Sequence, residues 1–188
     1  MKITTILGSP RKHGNTATIL AAFEELIPDE HIVGRINLPR SELQGCLGCD
    51  GCQRVADSHG CVQQDRICDV LDSIQSADLV VYATPVYVWD CSTQMKAVWD
   101  RLYSTVKWRD RGRPICLLHG KPAMLLATCG GAAASNGDLI EQVFRREMNY
   151  LGCRVAGVHI VDNCSEPSEL GQRLATTAME MIGSAGLD

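Results

Sequence analysis

The feature that most restricts how this chain can fold is an end-to-end alternation of short apolar runs with segments whose apolar residues recur at helical spacing. Lys2 to Leu7 reads as a strand, and Asn15 to Ile27 as a helix with Ile19, Leu20, Phe23, Leu26 and Ile27 on one face before Pro28 ends it. Ile32 to Leu38 is a second strand. Asp65 to Ala77 is a helix through Ile67, Val70, Leu71 and Ile74, and Asp78 to Thr84 is a third strand. The series continues with a helix at Thr93 to Val106, a strand at Ala123 to Thr128, a helix at Asp138 to Leu151, a strand at Arg154 to Val161 and a helix at Ser168 to Ile182. Strands that are apolar throughout, rather than alternating, belong to parallel sheets covered on both faces. Right-handed crossovers then predict an α/β, three-layer, doubly wound sheet of five parallel strands. The distinctive loops follow the first, third and fourth strands. The order 2-1-3-4-5 gathers those strand ends at one switch point, where such sheets bind ligands.

A chain of 188 residues that is 45% hydrophobic is long enough for one well-buried domain and short for two, so a single domain over 1–188 is expected, with a cysteine-rich loop at 45–64. A net charge of -4 offers no field for nucleic acid or an anionic membrane. The first apolar stretch stops at Gly8-Ser9-Pro10, too short for a signal-peptide core or a membrane span. A cytoplasmic protein is the expectation.

Gly8-Ser9-Pro10-Arg11-Lys12-His13-Gly14-Asn15-Thr16 joins the first strand to the first helix. Such a loop turns backbone N–H groups inward beside the positive end of a helix, which stabilises a dianionic phosphate. Ser9, Asn15 and Thr16 add side-chain donors and Arg11 a charge-assisted one. Helix capping needs only one such residue, so their density favours phosphate. The loop has neither GxGxxG nor GK[ST], which disfavours a dinucleotide site or a P-loop.

Gly8-Ser9-Pro10-Arg11 with Gly14-Asn15-Thr16 resembles the opening motif of the NADPH-dependent FMN reductase and iron-sulfur flavoprotein family. The resemblance extends through Gly45-Cys46-Leu47-Gly48-Cys49-Asp50-Gly51-Cys52, Thr84-Pro85-Val86-Tyr87, Gln94-Met95-Lys96-Ala97, Asp100-Arg101 and Gly130-Gly131. It implies a flavodoxin-like fold, bound FMN, reduction by NAD(P)H or a protein donor, and assembly as a homodimer or homotetramer. It places Ser9, Arg11, Asn15 and Thr16 on the FMN phosphate, and Pro85, Val86, Tyr87 and Trp89 beside the isoalloxazine ring. A redox-active ring needs a stiff wall and apolar cover, and the Thr84-Pro85 turn supplies stiffness. Cys129, Gly130 and Gly131 form a third candidate loop, whose glycines allow close backbone approach to the ring.

Ten cysteines are many for this length, and four of them, Cys46, Cys49, Cys52 and Cys61, form CX2CX2CX8C. Closely spaced thiolates suit a [4Fe-4S] cluster or tetrahedral zinc. Metal-free thiols, packed or redox-active near the flavin, are the other reading. The last gap is longer than the family's usual one, so residues 53–60 must fold back to bring Cys61 around. The other six cysteines lie among apolar neighbours and read as small hydrophobes.

The run Lys107 to Arg113 reads as a solvated connection, or else as a surface for a nicotinamide nucleotide or a neighbouring subunit's flavin. The histidines lack the spacing for a metal site or triad, and no catalytic acid–base residue is assigned. Hydride transfer to flavin requires mainly orientation, so none is needed. The expected function is an FMN-dependent reductase passing electrons from NAD(P)H to a small-molecule or protein acceptor. The alternative is a non-enzymatic carrier fed by ferredoxin.

Overall fold

A computed structural model of the chain describes residues 1–38, 43–108, 112 and 114–187. Arg109, Asp110, Arg111 and Arg113 of the basic run lie outside the described residues. The elements in chain order are β1 (Lys2–Leu7), α1 (Asn15–Glu25), β2 (Ile32–Asn37), α2 (Ile67–Ser76), β3 (Leu79–Pro85), α3 (Thr93–Leu102), β4 (Val106–Lys107), β5 (Ile115–Cys116), β6 (Pro122–Thr128), α4 (Ala133–Asn136), α5 (Asp138–Tyr150), β7 (Arg154–Val161) and α6 (Gln172–Ala185).

Five strands make one parallel sheet in the order β2-β1-β3-β6-β7. Counted within this sheet alone, that is the anticipated 2-1-3-4-5 order of the flavodoxin-like fold. The extra labels belong to β4 and β5, a two-residue antiparallel ribbon that the periodicity did not reveal. The helix expected to run from Thr93 to Val106 stops at Leu102. A 3-10 turn over Tyr103–Thr105 follows, and Val106 enters the ribbon opposite Cys116.

The core has two layers, one on each sheet face. Ile67, Leu71 and Ile74 of α2, Val98 and Leu102 of α3, and Phe144 and Met148 of α5 pack on one face. Ile19, Leu20 and Phe23 of α1 and Ala178 and Met181 of α6 pack on the other. Tyr82, Trp99 and Phe144 meet edge-on or tilted at centroid spacings of 6.1–6.2 Å, joining β3, α3 and α5. The central strand β3 is buried at every position, so its continuous apolar run Leu79-Val80-Val81-Tyr82-Ala83 is what a strand covered on both faces requires.

Registers of β1 with β3 and of β3 with β6 pair Leu7 with Ala83 and Pro85 with Thr128. The C-terminal ends of these strands therefore finish side by side. Backbone bonds from Gly8 N to Ala83 O (2.8 Å), Val86 N to Thr128 O (2.8 Å) and Cys129 N to Val161 O (3.0 Å) carry the ladder into the loops and fix their starting directions. No helix among the described residues is long and apolar enough to cross a membrane.

Candidate functional site

At these strand ends lies a cleft of about 500 Å³. The loop after β1 contributes Ser9, Arg11, Gly14, Asn15 and Thr16; the loop after β3, Pro85, Val86 and Tyr87; and β6 with its loop, Thr128, Cys129 and Gly130. Seven residues expected at a phosphate end and a ring wall, Ser9, Arg11, Asn15, Thr16, Pro85, Val86 and Tyr87, therefore share one cavity, although up to 78 positions separate them in the chain.

Gly14 occupies the N-cap of α1 and supplies no side chain to cap it. The first-turn N–H groups thus keep their capacity to bind an anion, and the helix dipole adds partial positive charge. Ser9 Oγ is tied within the loop, 3.2 Å from both the N and O of Arg11, which leaves the Arg11 side chain exposed. Asn15 was expected to donate its amide to a phosphate. Its Nδ2 instead donates to Ser165 O (3.1 Å), because the segment after β7 crosses the end of α1, and its Oδ1 is buried without a partner. An acceptor in that position can take a hydrogen bond from a ligand. Thr16 Oγ1 lies 2.6 Å from Thr128 Oγ1, both buried.

The opposite wall is a tight turn. Tyr87 N donates to Asp90 O (2.8 Å) and Asp90 N to Tyr87 O (3.1 Å), with Val88 at φ 51° and Trp89 at φ 64°. Two consecutive left-handed residues make a type I′ turn, and a β-branched residue there is strained. Trp89 Nε1 donates to Ser135 O (2.8 Å) and anchors the turn to α4. Trp89 is thereby drawn away from the cleft, which it does not line. Thr84 and Gly131 do not line it either: Thr84 is buried beneath the turn, accepting from Ser92 N (3.0 Å), and Gly131 packs against the Asn136 side chain. Ser92 caps α3 by accepting from Met95 N and donates to Gly8 O at 2.6 Å, locking the loops after β1 and β3 together.

Burial raises the Cys129 thiol to about 11, with Asp162 and Cys164 adding to the rise, and its Sγ donates to Gly131 O (3.2 Å). It is a protonated thiol rather than a thiolate at neutral pH. Cys164 and Ser165 also line the cleft. Cys164 was read above as a small hydrophobe and Ser165 was given no role, although a loop after the last strand of a doubly wound sheet ends beside the switch point.

The four clustered cysteines line a second cavity, of about 370 Å³, together with Arg101, Tyr103 and Ser104. The problem of the long last gap is solved locally. Gly51–Arg54 form a 3-10 turn, Gly60 takes a left-handed φ of 63°, and Lys107 Nζ donates to both Cys52 O and His59 O at 2.9 Å, holding the two arms together. Lys107 is 1% exposed. Its assignment to a solvated basic run is corrected: the β4–β5 ribbon turns it inward. His59, given no role above, is buried, accepts from Cys61 N (3.2 Å) and stands 3.3 Å from Asp72.

Among the described residues no group of three or more His, Cys, Asp or Glu side chains is arranged to hold a metal ion. Tetrahedral zinc, with Zn–S bonds of about 2.3 Å, needs its sulfurs within about 3.8 Å of one another. What speaks for a metal centre here is the donor set alone, four thiols lining one cavity. N–H donors stand near three of the sulfurs: Arg101 Nη2 is 3.1 Å from Cys61 Sγ, Gln53 Nε2 3.6 Å from Cys52 Sγ and Gly48 N 3.5 Å from Cys46 Sγ, while burial raises the Cys52 thiol. Arg101 Nε is buried without a partner.

Comparison with known proteins agrees with this fold. Residues 1–162 match the family model for NADPH-dependent FMN reductase. An iron-sulfur flavoprotein of Archaeoglobus fulgidus is 35% identical over 103 residues, covering 54% of this chain and 46% of that protein. An FMN-dependent NADH:quinone oxidoreductase of Azospirillum brasilense is 29% identical over 170 residues, covering 81% of each. The match spans about half the length of three iron-sulfur flavoproteins to which the chain is similar. Among solved structures, an FMN-dependent NADH-azoreductase from Bacillus anthracis in complex with FMN superposes with a TM-score of 0.68 at 18% identity over 100% of both chains, a likeness of fold. With its model matched from Met1 into the segment after β7, this chain belongs to the NADPH-dependent FMN reductase family.

Proposed function

We propose that the chain is a single-domain, cytoplasmic FMN-dependent oxidoreductase that takes electrons from NAD(P)H and delivers them to a quinone-class or protein acceptor, working as a homodimer or homotetramer. The observation carrying this reading is the cleft at the strand switch point, with an uncapped helix N-terminus and Arg11 at one end and the Pro85-Val86-Tyr87 wall at the other. When bound, FMN supplies a ring that accepts a hydride equivalent and releases electrons in pairs or singly.

The residues of the chain bind and orient. The N–H groups at the start of α1, with Ser9 and Arg11, would hold the phosphate, and the orphan Asn15 Oδ1 would accept from the ribityl chain. Pro85 and Val86 would give the ring a rigid wall, Tyr87 would cover it, and Gly130 would let backbone approach it. Cys129, kept protonated by burial, presents no negative charge to a ring that gains charge on reduction. Thr84, Trp89 and Gly131 act behind this surface by fixing the loops that form it.

A [4Fe-4S] cluster on Cys46, Cys49, Cys52 and Cys61 is the second part of the proposal; when present it supplies one-electron chemistry. The four-cysteine cavity favours it, and it also gives the carrier reading, with ferredoxin as donor, its support. Stopped-flow bleaching of the oxidised flavin band by NADH or NADPH tests the enzyme. No bleaching by either, with rapid reduction by ferredoxin, would leave the carrier. Iron and acid-labile sulfide analysis of protein purified without oxygen tests the cluster, which fewer than about one iron per protomer would exclude.

A further inference from the structure

We infer that Arg101 and Lys107 are positioning residues that raise the reduction potential of the centre held by Cys46, Cys49, Cys52 and Cys61; the inference rests on the cluster proposed above and goes beyond it. Both side chains are 1% exposed, and they approach the cysteine loop from different elements, Arg101 from α3 and Lys107 from the β4–β5 ribbon. Arg101 Nη1 donates to Asp65 Oδ2 (2.5 Å) and Gln44 O (3.2 Å), and Nη2 to Cys61 Sγ (3.1 Å). Lys107 Nζ donates to the carbonyls of Cys52 and His59, which are neutral.

Among the described residues, one carboxylate, Asp65, is bonded to this pair of buried cations. Asp50 also lines the cavity, but it is exposed and water screens it. Buried charge is costly unless matched, so the surplus positive charge and the orphan Arg101 Nε call for an anionic occupant. A cluster on four thiolates meets that requirement. Its reduction adds one electron and one negative charge, with no covalent bond formed or broken and no proton required. Cations fixed in a poorly screened interior stabilise that added charge, and an N–H donor to a ligand sulfur acts in the same direction. A purely mechanical role for the two residues would hold the loop together and leave the potential where it is.

The test is a dithionite titration of the reconstituted full chain, followed by electron paramagnetic resonance, on wild type, Lys107→Gln, Arg101→Gln and the exposed-residue control Arg146→Gln. Lys107→Gln and Arg101→Gln are expected to carry wild-type flavin and iron and to titrate at more negative potential, with Arg146→Gln unmoved. Variants that load iron and titrate at the wild-type potential overturn the inference alone. Loss of iron from both assigns the pair a mechanical role and also overturns it. Wild type that takes up no iron under oxygen-free reconstitution sinks the cluster reading, and this inference with it.

Discussion

The Thr16 hydroxyl lies 2.6 Å from the Thr128 hydroxyl, and this buried contact ties the first turn of α1 to the end of β6 across the floor of the cleft. Replacing either threonine by valine strands the other hydroxyl in the interior, at a cost of about 1–3 kcal/mol. The double variant Thr16→Val, Thr128→Val leaves nothing unsatisfied and is expected to be more stable than the sum of the single effects implies. Urea denaturation of the four proteins of this cycle measures the coupling.

Arg11 is the exposed cation at the phosphate end of the cleft. A charge-assisted bond of about 1.5–3 kcal/mol corresponds to roughly a 10- to 150-fold change in affinity. Arg11→Ala is expected to weaken FMN by an amount in that range and to leave riboflavin, which lacks the phosphate, unchanged. Fluorescence quenching titrations with both ligands check this, and equal weakening of the two would show that Arg11 acts elsewhere.

Glu147 of α5 faces Lys96 and Asp100 of α3, and burial pushes its carboxyl up to about 8, with Asp100 and Asp90 adding to the rise and Lys96 opposing it. In the unfolded chain a glutamate titrates near about 4.3, so between those values the folded protein holds a proton that the unfolded chain has lost. That contribution to stability is complete below the unfolded value and disappears as the pH rises through the folded one. Glu147→Gln should match wild type near pH 4 and become more stable as the pH approaches 8, by on the order of a few kcal/mol. Denaturation curves across this range would show a constant difference if the carboxyl were ordinary.

Gly60 stands at φ 63° immediately before Cys61, and a Cβ there would come within 2.7 Å of Val55 Cβ and 3.3 Å of Cys52 O. Gly60→Ala combines left-handed strain with a clash against the Val55 side chain. The expected outcome is loss of iron with flavin retained, because the clash displaces Cys61 while the cleft is built from other loops. Metal analysis beside the flavin absorbance distinguishes this from general unfolding, in which both are lost.

The sequence by itself determined the five strands of the parallel sheet and their order, because a central parallel strand must be apolar throughout and helices must repeat their apolar face every three to four residues. Tyr82 in β3 and Ile67, Leu71 and Ile74 in α2 announce their burial in this way. What neighbours across the fold impose was legible only in the tertiary structure. Asn15 looked like an amide donor until Ser165 claimed its Nδ2, and Trp89 looked like ring cover until Ser135 anchored it away from the cleft. Lys107 looked solvated because its neighbours in sequence are charged. It is buried because a two-residue ribbon, too short to leave a periodic signal, turns it toward carbonyls about fifty positions earlier in the chain. Local pattern records which face of an element is apolar, whereas the partner that satisfies a polar group is chosen by contacts between segments remote in sequence.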